Sequence, residues 1–257
     1  MTIQTYGADK RLPVCKKCLK EFFALSGKDL FPDVERVELL PIPTVAEAGV
    51  LRGTDVPLSS LGGRGTVTVG YAVMQTIVDE ITSHGGRVID VSKDLIFLSE
   101  NAHFTAQGTL GYLLTTANRV PADLRAGIVG YGRIGRELVR ELLFLGAKIK
   151  VFSTKMETCK TLGRVGVDAV QVGGDCPPAD FSGLDILINT APAKNIITEQ
   201  SDLAGVRVIE LASGENLPYG LAYETLRGVP TAMFPDSAGR ALCRSVLRMM
   251  GGMTSEK

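Results

Sequence analysis

The 257-residue chain carries 28 basic and 28 acidic side chains, a formal net charge of zero, which excludes gripping nucleic acid or an anionic membrane by bulk charge. Five cysteines, an odd number, argue against a disulfide framework. The opening MTIQTYGADKRLP lacks the apolar centre of a signal peptide and no apolar run is long enough to span a bilayer, so a cytoplasmic protein is expected, with length for two lobes that each bury a core.

In chain order, residues 3–6 predict a short strand that passes through Gly7-Ala8-Asp9-Lys10-Arg11 into a helix at 14–25. Cys15 and Cys18 on that helix make a formal C-x-x-C. It has neither the preceding strand of a thioredoxin motif nor a second pair for zinc, and it reads as two helix cysteines between lysines. A polar link with Gly27 and Pro32 leads to a strand at 37–40, and 42–61, without a clear period, is expected to be a long ordered loop. A strand at 66–69 stopped by Gly70, a helix at 73–83, and strands at 87–91 and 95–98 follow. This alternation predicts a parallel sheet with helices on its faces. A helix in the second part of 101–118 then precedes Pro121.

The strongest signal comes next. A strand at 126–129 runs into Gly130-Tyr131-Gly132-Arg133-Ile134-Gly135, which opens a helix carrying Leu138, Val139, Leu142 and Leu143 at helical spacing, and a second strand follows at 147–152. G-x-G-x-x-G in that setting is a dinucleotide fingerprint: Gly130 for the tight turn, Gly132 for backbone approach to a pyrophosphate, Gly135 for close helix packing. At the end of the second strand, where an acidic residue would select NAD, stand Ser153, Thr154 and Lys155. Two hydroxyls and a cation there favour the 2′-phosphate of NADP(H), with NAD the alternative. Beyond lie a helix at 156–164, strands at 167–172, 185–189 and 206–211, a helix at 218–227, a last strand at 231–234 and a closing helix at 238–250. The strand ends carry Asn189-Thr190-Ala191-Pro192 and Leu211-Ala212-Ser213, expected to flank the nicotinamide.

The expected fold is α/β: two doubly wound parallel-sheet lobes joined by an interdomain helix, the C-terminal lobe a Rossmann dinucleotide-binding domain. The boundaries are 1–100 for a flavodoxin-like or Rossmann-like substrate and partner domain, 101–119 for the interdomain helix, 120–236 for the Rossmann domain and 237–257 for a C-terminal helix.

The order of these features resembles the family of dipicolinate synthase A subunits, relatives of the D-2-hydroxyacid dehydrogenases. Gly7 to Arg11 resembles an opening G-G-D-x-R, Leu40-Pro41-Ile42-Pro43 an L-P-x-P loop, and Asn101 with Thr105-Ala106-Gln107-Gly108 an N-x-x-P-T-x-E-G segment. GYGRIG, Ile188 to Pro192 and Glu210 to Ser213 match the family's glycine motif, I-N-T-x-P and D-L-A-S. Gln107 stands where the family has glutamate, and no histidine occupies 191–200, where a hydroxyacid dehydrogenase would supply its general acid. The resemblance implies NADPH-linked hydride transfer to a small carboxylated, cyclic substrate, with Asn101, His103, Thr105 and Gln107 as catalytic candidates. Pro43, Thr44, Gly70 and Arg240 are the substrate-binding candidates. It also implies a flavoprotein B subunit; self-association as a homo-oligomer is expected, and His84 and His103, too few and too separated for a metal site, lead to the expectation of no metal. The alternatives are a hydroxyacid dehydrogenase acting on an aliphatic keto acid, and a non-catalytic NADPH-binding module.

Overall fold

The computed structural model describes residues 1–26 and 30–254. Gly27 of the expected polar link and the end of the closing helix at 255–257 lie outside the described residues. The chain divides into two compact units, 1–101 with 230–257, and 102–229, the division falling inside a long helix.

In chain order the first unit contains β1 (Thr2–Thr5), α1 (Arg11–Ser26), β2 (Arg36–Leu39), β3 (Ala46–Glu47), β4 (Val50–Leu51), β5 (Thr66–Gly70), α2 (Gln75–Ser83), β6 (Arg87–Asp90) and the start of α3 (Leu95–Thr116). Strands β1, β2, β5 and β6 form a parallel sheet in that order, while β3 and β4 make a separate antiparallel hairpin. Both faces of the sheet are covered, as parallel sheets require: Val37 and Leu39 point to one side at 0 and 1% exposure, and Glu38 is fully buried on the other. The Glu38 carboxylate is tolerable there because it accepts from the Gly62 amide (3.0 Å) and the Thr68 hydroxyl (2.8 Å) and faces Arg36 at 3.4 Å.

Two expectations are corrected in this unit. The stretch 42–61, expected as one long ordered loop, holds the β3–β4 hairpin and a 3-10 turn at Leu58–Ser60. The apolar run at 95–98 is the first turn of α3 rather than a strand: Asp94 accepts from the Ile96 and Phe97 amides as a helix cap, and the helical twist buries Phe97 while leaving Leu95 and Ile96 exposed.

The second unit contains the rest of α3, β7 (Arg125–Val129), α4 (Arg133–Phe144), β8 (Lys148–Ser153), α5 (Met156–Arg164), β9 (Asp168–Gln171), β10 (Ile186–Asn189), β11 (Arg207–Glu210) and β12 (Glu224–Thr225). All six strands are parallel, in the order β12-β11-β10-β7-β8-β9, so the sheet reverses direction between β7 and β10. That is the Rossmann order, and its reversal point is where such sheets bind ligands. Leu138, Val139 and Leu142 of α4 pack with Ala126 and Ile128 of β7 in one core; each such aliphatic side chain contributes about 2 kcal/mol by leaving water.

The end of this region departs from its local signals. No helix forms at 218–227; Glu224 and Thr225 pair with Ile209 and Glu210 as an edge strand, and Glu224 is clamped by Arg207. Residues 231–233 of the stretch expected as a strand at 231–234 lie in α6 (Val229–Met233), with Pro230 in its first turn where a missing amide is harmless. Helix α7 (Pro235–Thr254) packs along α1 in the first unit. Gly239 permits that contact, since a Cβ there would lie 2.5 Å from Cβ of Val14 and 2.8 Å from the Arg11 carbonyl oxygen.

Candidate functional site

The turn between β7 and α4 is shaped by its glycines. Gly130 has φ of +91°, and a Cβ on it would meet Cβ of Ala191 and Oγ1 of Thr190, both at 2.9 Å. A Cβ on Gly135 would stand 2.3 Å from the Gly130 carbonyl oxygen, so the helix can start against the turn only because that position is bare. Gly132 is different: it is the N-cap of α4, no side chain caps the helix there, and a Cβ would meet nothing within 4 Å. Its missing side chain leaves an approach to uncapped amides at the positive end of a twelve-residue helix, which suits an anion.

A cavity of about 380 Å³ opens at this point. It brings together three stretches far apart in sequence: Gly130, Tyr131 and Gly132; Ser153, Thr154 and Lys155; and Thr190, Ala191 and Pro192. Sequence reasoning missed Arg136 and Thr158, which also line it. Arg136 donates to the Tyr131 carbonyl (3.3 Å) and its guanidinium lies 5.7 Å over the Tyr131 ring. Its position one turn beyond Gly132 is the signal that could have found it. Ser153 is buried, and its Oγ accepts from the Lys155 amide at 3.2 Å, leaving its own proton to donate. Lys155 is exposed as the N-cap of α5, whose first turn carries an exposed acid, Glu157.

Asn189, Leu211, Ala212 and Ser213, like Arg133, Ile134 and Gly135, are not among the lining residues. Asn189 acts from beneath: its amide donates to Glu210 (2.9 Å) while its carbonyl accepts from the Ala191 amide (3.2 Å), which sets the turn that carries Thr190 to Pro192. Glu210 also accepts from the Ala212 amide at 2.7 Å. Burial pushes the Glu210 carboxyl above the usual carboxylate range, against the opposing pull of these hydrogen bonds. Leu211 and Ala212 are buried and Ser213 is exposed; Arg227 donates to the carbonyls of Ala212 and Gly214 and holds that loop.

In the first unit the carboxyl edge of the four-stranded sheet is densely tied. Asp9 caps the start of α1 by accepting from the Arg11 amide (2.9 Å), and it pairs with the Arg11 guanidinium at 2.7 Å, both side chains 8% exposed. Arg11 reaches Asn101 at 3.5 Å, and Thr231 donates to Asp9 at 3.3 Å. Asn101 thus joins Asp9 and Arg11, which sequence reasoning quoted as a motif without assigning them to a site. Thr44 is fully buried and committed on both sides, donating to the Pro41 carbonyl and accepting from the Tyr71 amide. Gly70 abuts it, a Cβ there lying 2.5 Å from the Thr44 hydroxyl. Pro43 is exposed after a cis Ile42–Pro43 bond, and Arg240 pairs with Asp236 on the surface.

The other candidates on α3 are not gathered into one constellation. His103 hydrogen-bonds Glu137 (3.0 Å) and stands 3.5 Å from Glu141, both on α4. These three residues place one ligand atom each within 4.8 Å of one another, yet the Arg140 guanidinium pairs with both carboxylates and supplies their positive charge. Thr105 is buried, its carbonyl accepting from Thr109, and Gln107 is exposed. Among the described residues no helix is long and apolar enough to cross a membrane.

No protein-family model and no curated protein matches the chain. Solved structures do. The A chain of dipicolinate synthase from Bacillus subtilis superposes with a TM-score of 0.77 at 17% identity, covering 100% of this chain and 98% of its own. The A subunit of dipicolinate synthase from Bacillus halodurans gives 0.74 at 19%, covering 97% of each chain. A transhydrogenase from Sinorhizobium meliloti gives 0.64 at 13%, covering 98% of this chain and 94% of its own. At such identities the likeness is one of fold, and over its whole length this chain has the fold of the dipicolinate synthase A subunits, as the order of its sequence motifs suggested.

Proposed function

We propose that the protein is an NADP(H)-dependent oxidoreductase that moves a hydride between the nicotinamide and a small, carboxylated, cyclic substrate. The observation that carries this reading is the open cradle at Gly132, beside uncapped amides at the reversal point of a Rossmann sheet. A pyrophosphate fits it in charge and in the absence of any Cβ. Ser153, Thr154 and Lys155 would take the ribose 2′-phosphate, and the turn at Thr190 to Pro192, set from below by Asn189 and Glu210, would pack beside the nicotinamide. When bound, the dinucleotide supplies a hydride donor or acceptor.

The protein's part is positioning. His103, held by two carboxylates and close to Arg140, is engaged structurally, which favours positioning over proton transfer as the role of these residues. The fold neighbours are themselves single chains of dipicolinate synthase, designated by a letter as parts of that enzyme, which supports a partner polypeptide; a flavoprotein in that role, and self-association, belong to the same proposal.

Fluorescence titration with NADPH and NADH tests the reading. NADPH should bind at least about tenfold more tightly, the extra affinity coming from charge-assisted bonds to the 2′-phosphate, and Ser153→Asp should erase that preference. Equal affinity for both nucleotides overturns the 2′-phosphate assignment, and binding of neither overturns the whole proposal. NADPH oxidation with a dihydrodipicolinate-type ring, against an aliphatic keto acid, then decides the substrate class.

A further inference from the structure

We infer that Cys15 and Cys243 form a peroxide-sensitive dithiol that closes to a disulfide joining α1 to α7. The C-x-x-C spacing places Cys15 and Cys18 on one side of α1. Helix α7 is brought against α1 by the bare Gly239, whose position lies over Val14 and the Arg11 carbonyl. Cys243, one turn further along α7, therefore meets the next part of α1, where it is in hydrogen-bonding contact with the thiols of Cys15 and Cys18. All three are free thiols; Cys15 and Cys243 are buried at 0 and 5% exposure, and the half-buried Cys18 marks the solvent side of the group.

The protons of this group are unevenly held. The hydrogen bond from Cys15, aided by the charge of Arg244, brings the Cys243 thiol below its usual range against the opposing effect of burial. The same hydrogen bond, with burial, pushes Cys15 well up. Cys243 is thus the thiol that gives up its proton more readily and Cys15 the one that keeps it, the division of roles that oxidation by a peroxide needs. The Cys243 sulfur attacks one oxygen of hydrogen peroxide, the O–O bond breaks, and hydroxide departs, leaving a sulfenic acid. The Cys15 sulfur then attacks the Cys243 sulfur, the S–O bond breaks, and the hydroxyl leaves with the Cys15 proton as water. Peroxide has accepted two electrons and the thiols have become one disulfide. This chemistry uses neither nucleotide nor substrate and stands apart from the proposed activity.

The test uses the unmodified full-length protein. After treatment with stoichiometric hydrogen peroxide, remaining thiols are alkylated under denaturing conditions, and peptides are mapped with and without reductant. Two of the five free thiols should be lost and recovered by dithiothreitol, with the Cys15 and Cys243 peptides linked within one chain. In Cys15→Ser, dimedone should trap the sulfenic acid at Cys243. Five titratable thiols after peroxide, a linkage between other cysteines such as Cys159 and Cys176, or a linkage between separate chains overturns the inference.

Discussion

In each unit the first strand turns through glycine into a helix, and the two turns are finished in opposite ways. After β1, Gly7 at φ of +82° leads to Asp9 and Arg11, whose buried ion pair fills the turn and caps α1. After β7, Gly130 at φ of +91° leads to Gly132, which caps α4 with no side chain and leaves the space above it open. The backbone problem is the same; the chemistry differs. A helix start capped by a carboxylate has satisfied its amides and repels a second anion, whereas a bare one keeps its dipole available to a phosphate.

Removing one member of the filled turn should have the largest effect. Arg11→Met leaves Asp9 buried opposite no cation and should cost about 3–5 kcal/mol in chemical denaturation; a loss below about 1 kcal/mol would break the contrast between the turns. Gly135→Val drives a side chain into the Gly130 carbonyl, where the gap is only 2.3 Å. It should destabilise the second unit by about 2–4 kcal/mol and abolish nucleotide binding. Gly132→Val sharpens the comparison, because its Cβ meets no protein atom. Stability should stay within about 0.5 kcal/mol of the parent while NADPH affinity falls at least about tenfold. Unchanged affinity in that variant would mean that no phosphate lies at the turn.

The smallest effect concerns the second unit's own ion pair, Arg207 with Glu224, whose side chains are 27 and 38% exposed where those of Asp9 and Arg11 are 8%. Hydrogen bonds from Arg207, then from Tyr112, bring the Glu224 carboxyl from 4.5 to about 2. A lowered folded-state value means that the stabilisation is full above pH 4.5 and disappears as pH falls through about 2. Glu224→Gln should therefore cost about 1 kcal/mol at pH 7, discounted for solvent screening, and progressively less on acidification, as followed by urea denaturation at each pH. A difference that persists undiminished near pH 2 would show that packing of the edge strand, and not charge, is what Glu224 contributes.

Much of this arrangement was legible before any coordinate. The strand at 126–129, the glycine turn and α5 were readable because they are decided within a few residues, by apolar periodicity and by the steric need for a missing Cβ. The strand-end stretches at Ser153 and Thr190 were readable by rule, since a Rossmann connection delivers them to one edge. Asp94 was overlooked as a cap because the four apolar residues after it carry a strand's composition. Strand β12 could not be read at all: Glu224 and Thr225 have no strand pattern, and what orders them is the open edge of β11 and the guanidinium of Arg207.

The sequence by itself determined the parallel α/β architecture and the place of the bare glycine turn, because both follow from short-range backbone geometry repeated along the chain. Tertiary structure alone decided where the last helix is seated. It returned α7 across the chain so that Gly239 meets Val14 and Cys243 meets Cys15. That outcome depends on contacts between residues more than two hundred positions apart, whose energy no local pattern records.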